Sequence, residues 1–348
     1  MTPRWPRLLA LAAALALAIP ALASCGGTDD GKTLKLGYFP NVTHAPALVG
    51  VEKGFFADAL GKDVKLKPST FNAGPAAMEA LFSGAVDATY IGPNPAINGW
   101  AKSKGQALRI VAGATSGGAG LVVRQGIDSV KDLRGKKIAT PQLGNTQDVA
   151  LRYWLKQHGY KTTSDKGGDV SVVPTDNADV ANAFSSGAVD GAWVPEPYLS
   201  RLVSDGGGRL MLNEKDLWPH GDFVTTHLVV RSEFLTEHPD LVKKLLKGHI
   251  RAVDYIDDSP GGARAAVNRQ LEKLSGKPLS DKVLKSSFAN LTFTVDPIAS
   301  SLKASAKHAQ DVGLLDPVNL KGIYDLGPLN TLLKADGDPT VSAGKLGT

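Results

Sequence analysis

FSGAVDATYIGPNP at residues 82–95 and SSGAVDGAWVPEPY at residues 185–198 are the two stretches that decide the fold. A numbering shift of 103 superposes Ser83, Gly84, Ala85, Val86 and Asp87 on Ser186, Gly187, Ala188, Val189 and Asp190. The shift holds upstream as well. AGPAAMEALFSG (73–84) falls on DNADVANAFSSG (176–187), two short helical patterns that each end in a glycine suited to a left-handed cap. Further back, LKLGYFPNVTHAP (34–46) falls on KIATPQLGNTQDV (137–149), which puts Thr43 and His44 on Thr146 and Gln147. A chance match between two βαβ units, each with a helix stop before a strand, is the bland alternative.

Each copy reads strand, helix, strand, helix, strand, helix. The first copy predicts strands at 34–39, 64–71 and 87–92 and helices at 45–59, 74–83 and 95–103. The second predicts strands at 136–141, 170–175 and 190–194 and helices at 145–158, 177–186 and 197–204. Alternation of this kind builds parallel sheets with helices on both faces, so the chain is read as two α/β lobes. The β-rich segments 108–125 and 223–234 are the expected crossings between lobes, and TSGGAG in the first supplies hinge freedom. The expected division is 34–115 plus 232–337 for the first lobe and 116–231 for the second. From residue 239 onward the pattern is mostly helical. PDLVKKLLKGHIRAVDYID sets Val242, Leu245, Leu246, Ile250 and Val253 on one face and Lys243, Lys244, Lys247, Arg251 and Asp254 on the other.

Composition agrees with two modest globular lobes: 348 residues, 43 % hydrophobic and 21 % charged. The formal charge is +5, with Arg4 and Arg7 in the first 24 residues, too mild a balance to argue for nucleic acid. MTPRWPR, LLALAAALALAI and PALASC form the basic, apolar and small-residue regions of an export signal over residues 1–24. Leu22-Ala23-Ser24-Cys25 resembles the bacterial lipobox, which makes Cys25 the expected lipid anchor and residues 25–33 a flexible tether. Cys25 is the one cysteine of the sequence, so neither an internal disulfide nor a thiol nucleophile is expected.

In open parallel sheets a ligand binds beyond the carboxyl ends of the strands, where helix N-termini converge. The loops at that mouth hold Asn41, Thr43, His44, Asn94, Asn145, Thr146, Gln147 and Glu196, and the turn before the last crossing strand adds Asp222. Asn41 and Thr43 also suit a helix cap. None of these loops holds Lys or Arg, so a small anion would be held by neutral donors and helix N-termini. Glu196 and Asp222 could hold an ammonium group on the same ligand or cap the helices beside them.

GYFPNVTHAP, FNAGPAAMEALFSGAVDATYIGPNP, DLRGKKIATPQLGNTQDVALRYWL, SSGAVDGAWVPEPY and HPDLVKKLLK resemble, in order and spacing over about residues 34–260, the solute-binding proteins of ATP-driven importers for nitrate, alkanesulfonates and taurine. The resemblance implies a two-lobed fold of type II periplasmic-binding-protein kind, with Thr43, His44, Asn94, Thr146, Gln147 and Glu196 lining the cleft. It implies capture of an aliphatic sulfonate or taurine, with nitrate, bicarbonate or a thiamin pyrimidine as alternatives. It also implies delivery to a membrane permease and its ATPase by a lipid-anchored monomer on the outer face of the cell membrane. Enzymes of the same architecture resemble this chain less, since they need cysteines it lacks. A ligand-sensing domain is the other rival. The sequence contains no H-x-x-H or HExxH spacing, and neither a metal nor a cofactor is expected.

Overall fold

The computed structural model describes residues 31–348. The expected leader over 1–24, Cys25 and the tether up to residue 30 lie outside the described residues. The strands are β1 (Thr33–Tyr38), β2 (Lys65–Thr70), β3 (Ala88–Ile91), β4 (Leu108–Gly117), β5 (Ala119–Val123), β6 (Lys137–Thr140), β7 (Ser171–Pro174), β8 (Gly191–Pro195), β9 (Arg209–Asn213), β10 (Val224–Arg231) and β11 (Leu291–Phe293). The first-copy helices are α1 (Ala45–Glu52), α2 (Phe55–Leu60), α3 (Gly74–Phe82) and α4 (Pro93–Lys102). The second copy has α5 (Thr146–Gln157), α6 (Val180–Ser185) and α7 (Tyr198–Ser204). The rest are α8 (Ser232–Glu237), α9 (Pro239–Asp258), α10 (Pro260–Ser275), α11 (Asp281–Ala289), α12 (Ala299–Asp311) and α13 (Gly327–Asp336).

Two sheets result, with strand orders β11-β4-β10-β3-β1-β2 and β7-β6-β8-β5-β9. Each copy contributes the same parallel core, β2-β1-β3 in one and β7-β6-β8 in the other. Each core is then extended by an antiparallel strand that arrives from the other lobe, β10 beside β3 and β5 beside β8. The sheets are therefore mixed, not purely parallel as the alternation alone predicts. Non-local pairing of the crossing strands is the reason. The lobe boundaries move with them: β4 runs to Gly117 and β10 is bonded between β3 and β4, so the first sheet claims residues 116–117 and 224–231. The chain crosses at Gly117 and Gly118, both at positive φ (78° and 71°), a conformation that glycine adopts without strain. The first lobe also reaches the end of the chain, where Leu346 joins its core and Thr348 donates its N–H to Tyr324 O at 3.0 Å.

The shared SGAVD has a structural cause in both copies. Gly84 and Gly187 take the left-handed turn that ends α3 and α6 (φ 70° and 80°). Asp87 and Asp190 then each accept the backbone N–H of the neighbouring parallel strand, Lys35 N and Lys137 N, both at 2.8 Å. Each carboxylate serves an N–H of a parallel strand. The expected helix 45–59 is broken in two at Gly54, whose left-handed φ of 74° separates α1 from α2.

Packing follows the two periodicities. Along β5, Leu121 and Val123 enter one core of the second lobe and Val122 the other; along β8, Trp193 faces the first of these cores and Ala192 and Val194 the second. In the first lobe α9 buries the expected face, Val242, Leu245, Leu246, Ile250 and Val253. Gly248 admits Phe56 against α9: a Cβ there would stand 2.7 Å from its ring. A buried phenylalanine of this kind contributes about 1.5–3 kcal/mol.

Candidate functional site

A small polar cavity lies where the two repeats face each other, lined by Phe39, Asn41, Thr43, His44, Gly92, Asn145, Thr146, Gln147, Asn177, Pro195, Thr225 and Thr226. Its open space is about 20 Å³, measured to the centre of a water-sized sphere. The lining contains no Asp, Glu, Lys or Arg. Three lining pairs are related by the 103-residue shift: Thr43 with Thr146, His44 with Gln147, and Gly92 with Pro195.

His44 is held as a neutral donor. Its Nδ1 accepts the Phe39 backbone N–H (3.3 Å) and its ring stacks on Phe39 with centroids 4.4 Å apart, so the ring proton is placed on Nε2. Burial pushes its pKa down to about 3. The adjoining Thr43 is pinned by the crossing strands, since its carbonyl accepts the hydroxyls of Thr115 (2.7 Å) and Thr226 (3.0 Å). The expected caps by Asn41 and Thr43 are not made. Asn41 precedes a short 3-10 turn, Val42–His44, with no side-chain cap bond, and Pro46 then fits the first turn of α1.

The second lobe supplies a helix end. The first intrahelical bond of α5 is from Val149 N to Asn145 O (3.0 Å), so the N–H groups of Thr146, Gln147 and Asp148 have no intrahelical acceptor. Buried Asp148 builds this entry. It accepts the Thr140 hydroxyl (2.9 Å), the Gly144 N–H (3.0 Å) and Arg152 Nε (3.1 Å). Burial lifts the Asp148 pKa, and Arg152 and the other donors hold it down. Prolines thin the other helix ends at the mouth. Pro93 and Pro95 remove two of the first three N–H groups of α4, and Pro195 and Pro197 flank the entry to α7.

The Thr146 hydroxyl is buried with no hydrogen-bond partner. It stands close against Gly92 of the other lobe, where a Cβ would meet Thr146 Oγ1 at 2.4 Å. Gly92 is thus a requirement of the shut cleft. Asn145 and Gln147 lie on the lining, with Asn145 Nδ2 3.5 Å from Gln147 Oε1. The cavity brings together six of the nominated residues: Asn41, Thr43, His44, Asn145, Thr146 and Gln147.

Three nominated residues are placed elsewhere. Asn94 donates to Ser305 O on α12 (3.2 Å). Asp222 is exposed in the turn before β10. Glu196, 0 % exposed, accepts from Ser200 N (3.1 Å), Ser200 Oγ (2.8 Å), Ser287 Oγ (3.0 Å) and Asn290 Nδ2 (2.7 Å). It caps α7 and ties the second lobe to α11 of the first. Burial lifts its pKa against those donors. Asn177, Thr225 and Thr226 escaped the sequence reading, although the same shift sets Asn177 opposite Gly74 at the start of α3. Among the described residues no group of three or more His, Cys, Asp or Glu is placed to hold a metal, and no helix is long and apolar enough to cross a membrane.

Two α/β lobes with exchanged strands and a polar cleft between them define the periplasmic-binding-protein fold. An alkanesulfonate-binding protein SsuA from Xanthomonas axonopodis superposes with a TM-score of 0.68 at 22 % identity, covering 82 % of this chain and 95 % of that one. The chain belongs to the NMT1-like family, whose sequence model matches residues 27–271. It is 30 % identical over 255 residues to a Bacillus subtilis protein named "Putative aliphatic sulfonates-binding protein", covering 68 % of this chain and 72 % of that one. It is also 29 % identical over 238 residues to the taurine-binding periplasmic protein of Escherichia coli, covering 68 % and 71 %.

Proposed function

We propose that this protein is the extracytoplasmic solute-binding component of an ABC importer. It captures a small oxyanion, an aliphatic sulfonate in the first place, between its lobes and delivers it to a membrane permease. The observation that carries this reading is the unpartnered Thr146 hydroxyl, buried at the open N-terminus of α5 in a cavity of neutral donors. Free N–H groups and the positive end of a helix dipole suit an anionic head. The names of the relatives support the same class of solute. A zwitterion is disfavoured because Glu196 is consumed by four donors and Asp222 lies outside the lining. A space of about 20 Å³ suits a compact anionic head better than a pyrimidine ring. The protein acts as a monomer, binds without catalysing a reaction, and is held at the outer face of the membrane through lipidated Cys25.

Calorimetric titration of the chain from residue 28 onward with alkanesulfonates, taurine, nitrate and bicarbonate tests the solute class. Micromolar or tighter binding of an oxyanion is expected, and binding of none of them overturns the reading. A bound solute touches both lobes and so favours the shut form. Small-angle scattering is accordingly expected to show a smaller radius of gyration at saturation. Loss of fatty-acid label in Cys25→Ser checks the anchor, and label retained by that variant rules it out.

A further inference from the structure

Asn177 precedes α6 and lines the cavity with half of its amide unused. Its Nδ2 donates across the cleft to Asn72 O at 3.4 Å, which fixes the orientation of the amide and leaves Oδ1 facing no donor. The residue is 4 % exposed. A buried acceptor without a donor costs stability on the order of 1–3 kcal/mol. None of the donors elsewhere on the lining, the ring N–H of His44 and the hydroxyls of Thr43 and Thr146 among them, bonds to it. Asn177 Oδ1 can only accept. The equivalent position in the first repeat is Gly74, so this acceptor belongs to the second lobe alone.

We infer that the solute is an oxyanion that also carries one neutral hydroxyl, donated to Asn177 Oδ1. The inference rests on reading the cavity as an oxyanion site. Nitrate and plain alkanesulfonates present acceptors only and would leave Oδ1 unpaired. An ammonium brings a full charge and three donors, and the lining contains no carboxylate to meet it. One hydroxyl matches one acceptor. The chemistry is that of bicarbonate or of a hydroxyalkanesulfonate, each a singly charged oxyanion with a single O–H.

Two matched pairs separate the possibilities. Bicarbonate and nitrate share size and planarity and differ by the hydroxyl, as 2-hydroxyethanesulfonate and propanesulfonate differ by OH for CH₃. Calorimetry on the wild type is expected to favour the hydroxyl-bearing member of the pair that fits by about tenfold or more. Asn177→Leu and, independently, Asn177→Ala are expected to abolish that preference. Both variants lose the bond to Asn72 and weaken closure, but the ratio within a pair is insensitive to that loss. A preference confined to the carbonate pair identifies bicarbonate, and one confined to the sulfonate pair identifies a hydroxyalkanesulfonate. Equal affinities within both pairs, or a preference that survives both substitutions, overturn the inference and leave the oxyanion site standing. Taurine bound as tightly as 2-hydroxyethanesulfonate overturns the neutral-donor part. Binding of none of the four anions overturns the oxyanion reading along with the inference.

Discussion

Thr43 and His44 in the first lobe occupy the positions that Thr146 and Gln147 occupy in the second, yet the two pairs meet the cavity in different ways. The first lobe presents side chains on a pinned turn, with the His44 ring stacked on Phe39 and the Thr43 carbonyl tied to two crossing strands. The second lobe presents the open end of a twelve-residue helix, set by the buried Asp148–Arg152 pair. At the position of Asp148 the first lobe has Ala45, with no counterpart to that ion pair. What the repeats share, SGAVD and its carboxylate on a strand N–H, is framework. What separates them is the chemistry of the site.

The sharpest way to break this comparison is at Asp148. Asp148→Ala leaves Arg152 buried without its partner and is expected to cost about 3–5 kcal/mol. Urea unfolding measures it, and a loss within experimental error would show that the second lobe does not depend on the pair. Next in size is the unpartnered hydroxyl. Thr146→Ala is expected to weaken solute binding by about one to two decades, the worth of a hydrogen bond to a charged group. Near-wild-type affinity in a titration would move the burden of the anion to the first lobe.

Acid should act mainly through the first lobe. His44, His227 and His249 are buried there with pKa values pushed down to about 3, 4 and 4 by burial. Each is neutral when folded and protonates near 6.5 when unfolded. Their stabilising contribution is therefore complete above pH 6.5 and is lost as pH falls towards 4. Tm is expected to drop across that window, and His249→Gln to make the drop shallower. Glu214 of the second lobe, pushed up to about 7 by burial, opposes the drop over the same window, so the variant is the check: an unaltered pH dependence in His249→Gln would contradict the burial of that ring. The smallest effect concerns Glu196, whose carboxylate joins the lobes. Glu196→Gln is expected to change the affinities for taurine and an alkanesulfonate by the same factor. A selective loss of taurine would return this residue to the ligand.

The repeat makes most of this architecture legible in the sequence. Strands read at 87–92 and 190–194 are found at Ala88–Ile91 and Gly191–Pro195, because a glycine stop followed by a β-rich run is a local signal. Six cavity residues were legible for the same reason, since strand ends and helix starts are marked in sequence. The fate of Glu196 was not, because Ser287 and Asn290 lie 91 and 94 residues further along. Asn177 is fixed by a carbonyl 105 residues away, and β10 joins the first sheet through antiparallel partners that no local period announces. Chemistry settled by distant partners has no signature in a neighbourhood of ten residues.

The prolines at the mouth have a further consequence, for the kinetics of capture. With Pro93 and Pro95 in the first turn of α4, Pro195 and Pro197 at the entry to α7, and no Lys or Arg on the lining, the pull on an anion is left to the N-terminus of α5 and falls off within its first turn. An attraction of that reach lies inside the Debye length, where ions in the medium screen it little. Encounter with a small solute is then expected to run without the acceleration that a charged funnel gives. A cleft built this way gives up speed of arrival and gains indifference to the salinity of its surroundings.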